Sequence, residues 1–104
     1  RNNHSSEILQ FGPLAIDKTK EELRISDIHI PTTKREFQLI LLLSSNPNRI
    51  FSNDELFDYL YPHDSETLGR SITEYVYQIR QKLKPYEINP IKTIWGGGYQ
   101  WITL

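Results

Sequence analysis

Over the first thirty residues, apolar and polar positions fall into four short runs: "EILQF" at 7–11, "LAID" at 14–17, "ELRI" at 22–25 and "IHI" at 28–30. Gly12-Pro13, the polar stretch from Lys18 to Glu21, and Ser26-Asp27 separate them. Turn residues at this spacing predict a small antiparallel sheet. The polar start "RNNHSSE" has no apolar segment and is not expected to be a signal peptide. Residues 1–6 are expected to be a linker tail and residues 7–104 a single domain.

The period changes at Thr33. "TKRE" is a capping box, in which the Thr33 hydroxyl accepts from the Glu36 amide and the Glu36 carboxylate reaches back. A helix should run to about Ser45, with Phe37, Ile40, Leu41 and Ser44 on its inner face. "LILLL" at 39–43 reads as core, and Pro47 cannot continue the helix. A second box, "SNDE" at Ser52 to Glu55, opens a shorter helix with Leu56, Phe57 and Leu60 inward. Its acidic first turn suits the helix dipole, and "YPHD" at 61–64 ends it.

A third helix is predicted from about Glu66 to Lys84. Leu68, Ile72, Val76, Ile79 and Leu83 are spaced four, four, three and four apart, close to the helical period. Arg70, Thr73, Glu74, Tyr77, Gln78 and Gln81 then face away from the core, with Ser71 and Arg80 on the flanks. Pro85 closes the helix. "IKTIW" and "YQWI" read as strands around Gly96 to Gly98, and glycine tolerates the positive φ of a tight hairpin loop. Tyr75 and Trp101 read as packing residues. The fold class is α+β: a four-stranded antiparallel sheet, three helices and a C-terminal β-hairpin, in the outline of a helix-turn-helix with a hairpin attached.

Composition narrows the chemistry. The 104 residues contain no cysteine, which excludes a disulfide scaffold and cysteine-based metal sites. No apolar run approaches membrane-span length. The formal net charge of −1 is unevenly spread. Residues 1–65 carry seven Lys/Arg against ten Asp/Glu, and residues 66–104 carry five against three. The positive excess sits in the C-terminal part.

Five stretches in order carry a family resemblance: "FGPLAID", "TKREFQLI", "NPNRIFSNDEL", "GRSITEYVYQIRQKLK" and "IKTIWGGGYQW". Over roughly residues 8–103 the chain resembles the winged-helix effector domain of OmpR/PhoB-type bacterial response regulators. The resemblance implies sequence-specific binding to double-stranded promoter DNA, with the third helix in the major groove and the hairpin, or wing, at the minor groove. It implies base reading by Thr73, Glu74, Tyr77, Gln78 and Gln81. Glutamine can pair with adenine and glutamate can accept from cytosine. Phosphate and wing contacts fall to Arg70, Ser71, Arg80, Lys82, Lys84, Lys92, Thr93, Trp95, Gly97 and Tyr99. The glycine turn would let backbone approach the phosphates closely. The loop Tyr61, Pro62, His63, Asp64, Ser65, Glu66 and Thr67 would contact RNA polymerase.

Family members commonly carry a basic pair where this chain has Tyr77-Gln78, valine at Glu74, aspartate at Thr73 and leucine at Thr32, and often arginine at Trp95. The core positions are kept, so the fold should survive while the reading surface differs. The resemblance further implies two-component signalling: a preceding receiver domain, outside these residues, phosphorylated by a sensor kinase, and a second protomer on paired half-sites. It implies a cytoplasmic protein with no cofactor. The same module occurs on membrane-anchored one-component regulators.

Catalysis finds little support. His4, His29 and His63 have no metal-ligand spacing, and Asp54-Glu55 belongs to a helix start. His63-Asp64 near Asp58 could hold a cation but reads better as a solvated helix-end loop. No metal and no enzymatic activity are expected. A winged helix used for protein contact is the remaining alternative, through Tyr77 and Trp95.

Overall fold

The computed structural model describes residues 7–62 and 71–102. The four apolar runs form β1 (Ile8–Phe11), β2 (Leu14–Asp17), β3 (Glu22–Ile25) and β4 (Ile28–Ile30), an antiparallel sheet in chain order. Leu14, Ile16, Leu23, Ile25 and Ile30 are buried, the period-two consequence of covering one face. Ser26 and Asp27 both have positive φ, 48° and 71°, as a two-residue type I′ hairpin requires.

Helix α1 (Lys34–Ser45) begins on the expected capping box. Glu36 N donates to Thr33 Oγ1 at 3.2 Å and Thr33 N donates to Glu36 Oε1 at 2.9 Å. Its buried stripe is Phe37, Leu39, Ile40, Leu43 and Ser44, with Glu36. Leu41, expected inward, is only half-buried. Within a run of five apolar residues the pattern alone could not fix which side faces the core. Helix α2 (Asn53–Leu60) repeats the box, with Ser52 N donating to Glu55 Oε1 at 2.9 Å. Leu56 and Leu60 are fully buried, while Phe57 is half-buried against Tyr61, centroids 5.0 Å apart.

Helix α3 (Ile72–Leu83) starts later than its apolar spacing suggested. Ser71 is extended, at φ −84° and ψ 167°, and its side chain accepts from Glu74 N as the N-cap. The helix therefore begins after Ser71, and the expected stretch from Glu66 to Arg70 lies outside the described residues. Leu68 lies outside the described residues. A 3₁₀ turn (Lys84–Tyr86) follows and contains Pro85.

One element was not anticipated. β5 (Ile50–Phe51) pairs antiparallel with β7 (Gly98–Trp101), which pairs in turn with β6 (Ile91–Ile94). The hairpin is thus part of a three-stranded sheet ordered β5-β7-β6. Trp101 is 1% exposed and meets the edge of Phe11 at 5.4 Å, tying this sheet to the first one. The core lies between the N-terminal sheet, the three helices and Trp101.

Candidate nucleic-acid interface

Each residue of α3 advances about 100° around the axis. Ile72, Tyr75, Val76, Ile79 and Leu83 turn inward and are buried. Thr73, Glu74, Tyr77, Gln78 and Gln81 are left on the opposite face, and the structure brings all five together there. Thr73, Tyr77 and Gln81 are exposed, and Glu74 and Gln78 are half-buried. Gln78 Nε2 donates to Glu74 Oε2 at 3.1 Å.

The hairpin turn comprises Trp95, Gly96 and Gly97, closed by Gly97 N donating to Ile94 O at 2.9 Å. Trp95 is 92% exposed. It stands in solvent and does not pack under the wing. Gly98 was expected to serve the approach of the turn to phosphates, yet its constraint is internal. At φ +120°, a Cβ on Gly98 would lie 1.9 Å from the Phe51 carbonyl oxygen. The glycine is demanded by the β5–β7 pairing. Ser52, Asn53 and Asp54 at the start of α2 line a groove whose other wall is the wing turn.

Four side chains assigned to phosphates, Arg80, Thr93, Lys82 and Tyr99, are engaged within the protein, and a fifth, Ser71, caps α3. Arg80 Nη2 donates to Ile91 O and Thr93 Oγ1, both at 2.8 Å, and its guanidinium lies 5.9 Å from the Tyr99 ring centre. Lys82 sits on the core-side flank of α3, where its ammonium pairs with the buried Glu36. Tyr99 is buried, and its hydroxyl donates to Thr73 Oγ1 at 3.4 Å. These side chains hold the wing and α1 against α3. Lys84 and Lys92 are exposed, as is Ser71, while Thr93 and Gly97 are half-buried.

Arg70 lies outside the described residues, as do His63, Asp64, Ser65, Glu66 and Thr67 of the expected polymerase loop. Of that loop, Tyr61 is built into the structure: Arg35 lies over its ring at 4.5 Å and its hydroxyl bonds to that of Tyr75. Pro62 is exposed. Glu36, the partner of Lys82, is also the capping glutamate of α1. Its pairing with Lys82 is a contact across 46 positions that no local pattern encodes. Among the described residues no group of three or more His, Asp or Glu gathers as for a metal, and no helix is long and apolar enough to cross a membrane.

Residues 27–101 match the family model described as "Transcriptional regulatory protein, C terminal". The nisin biosynthesis regulatory protein NisR of Lactococcus lactis subsp. lactis is 41% identical, over 97% of this chain and 46% of its own length. The transcriptional regulatory protein SpaR of Bacillus subtilis is 33% identical, over 97% of this chain and 46% of its length. The chain therefore spans about half the length of the curated relatives it matches. Among solved structures, the DNA-binding domain of Klebsiella pneumoniae RstA, in complex with RstA box, superposes with a TM-score of 0.78 at 22% identity. That likeness covers 92% of this chain and 97% of the RstA domain, and it establishes the fold.

Proposed function

The chain belongs to the family of C-terminal domains of transcriptional regulatory proteins, and from that premise we propose that it binds promoter DNA sequence-specifically as the effector domain of a two-component response regulator. Helix α3 enters the major groove, where Thr73, Glu74, Tyr77, Gln78 and Gln81 meet base edges. The wing lies at the minor groove with Trp95 at its tip. Lys84, Lys92 and Ser71 contact phosphates, joined by Arg70. The observation that carries this reading is the outward face of α3, five hydrogen-bonding side chains on one continuous surface beside the exposed wing. The RstA domain, on the same fold, is a DNA-binding domain in complex with RstA box, which supports DNA binding.

The names of the relatives support a regulatory role. A receiver domain supplies the phosphorylation signal, two protomers occupy paired half-sites, and the Tyr61–Thr67 loop meets RNA polymerase in the cytoplasm. The chain performs no catalysis and carries no cofactor. Selection from a random duplex library tests the core of the proposal: an enriched motif of half-site length supports it. No enrichment, even with two domains held together, favours the second reading. That reading is a protein-contact surface, and it draws on the exposed aromatic rings of Tyr77 and Trp95.

A further inference from the structure

All three helices begin with Ser or Thr followed three residues later by Glu: Thr33–Glu36, Ser52–Glu55 and Ser71–Glu74. In α1 and α2 the glutamate folds back onto the N-cap amide. In α3 the Ser71 hydroxyl still accepts from Glu74 N, but the Glu74 side chain turns forward along the outer face and accepts from Gln78 Nε2 at 3.1 Å. The third box is opened, and its carboxylate is presented on the surface assigned to base reading. A carboxylate accepts hydrogen bonds only, so Gln78 must offer it the amide nitrogen, which fixes the orientation of that amide.

Among the described residues, the cations of α3 are engaged elsewhere. Arg80 donates to Ile91 O and Thr93 Oγ1 on the wing, and Lys82 pairs with Glu36. Glu74 thus carries a negative charge toward a polyanion. Stripping a carboxylate of water is unfavourable unless hydrogen-bond donors replace it. On base edges in the major groove those donors are the exocyclic amino groups of cytosine and adenine. Guanine shows only acceptors there, and thymine an acceptor and a methyl.

We propose that Glu74, held in place by Gln78, is the specificity-determining residue for one base position of the operator, requiring an amino group there and rejecting guanine and thymine. Gln78 acts as the positioning residue for that carboxylate. The inference rests on the DNA-binding reading above.

The test is library selection with the 104-residue chain and two variants, Glu74→Gln and Gln78→Ala, each checked for an unchanged melting curve. The wild type should yield a motif with one position confined to cytosine or adenine. Which of the two prevails identifies the base read. Glu74→Gln can donate as well as accept, so it should admit guanine at that position, with discrimination falling on the order of tenfold. Gln78→Ala should weaken discrimination at the same position. Unchanged discrimination with Glu74→Gln, or no loss of discrimination at the Glu74 position with Gln78→Ala, would overturn the assignment while leaving DNA binding intact. A wild type with no motif would remove both readings together.

Discussion

The Phe51 carbonyl oxygen stands 1.9 Å from where a Cβ would sit on Gly98. No side chain fits there without parting β5 from β7, and the φ of +120° already disfavours any other residue. Gly96, at φ +76°, has nothing within 4 Å of such an atom. Gly98→Ala should therefore cost about 2–4 kcal/mol of stability, and Gly96→Ala about 1–2 kcal/mol from backbone strain alone. Urea denaturation of both variants checks the order. Equal losses would mean that the β5 contact does not constrain the turn.

Lys82→Ala should act on stability before it acts on DNA. It leaves Glu36, 3% exposed, without its ammonium partner. Lys82 itself is 30% exposed, so screening moderates the loss to about 1–3 kcal/mol. Chemical denaturation should register that loss, while the salt dependence of DNA binding stays as in the wild type. A salt slope reduced by about one unit, with stability unchanged, would return Lys82 to the phosphate contacts.

Arg80 joins α3 to the wing through Ile91 O and Thr93 Oγ1. Arg80→Met should lower stability by about 1–3 kcal/mol and loosen the wing specifically. Hydrogen exchange should quicken at the Ile91–Ile94 amides and remain slow in β2. Uniform protection across both strands would show that the contact does not hold the wing.

Trp95 is 92% and Tyr77 55% exposed, and neither belongs to the core cluster. Trp95→Ala and Tyr77→Ala should each leave stability within about 0.5 kcal/mol. Each should weaken binding to the selected duplex by about five- to tenfold, the loss of an exposed aromatic contact. Calorimetric melting and a binding titration on the same samples separate the two effects. Full affinity in both variants would place the interface elsewhere.

Features governed by neighbours within four residues were legible in the sequence. The four strands appeared between their turns, and the Thr33–Glu36 and Ser52–Glu55 boxes form as their spacing requires. The inward set Ile72, Val76, Ile79 and Leu83 is buried in α3. Features set by distant partners were not. β5 has two residues, too few for a period, and exists because β7 pairs with it. Arg80 and Lys82 looked like free cations because Thr93 and Glu36 lie 13 and 46 positions away. Tyr99 carried a surface role until the strand register placed it opposite Phe51 and Thr93. The forward turn of Glu74 was invisible for another reason: one Ser-x-x-Glu pattern permits two side-chain directions.

The proposed function depends on this chain reading DNA sequence. The most direct measurement is fluorescence anisotropy with the wild-type chain on the selected duplex and on a scrambled duplex of equal composition, at low and near-physiological salt. Binding should be tighter to the selected duplex at both salts, with a shallow salt slope because Arg80 and Lys82 are engaged internally. Equal affinity for both duplexes, collapsing alike as salt rises, would contradict sequence reading.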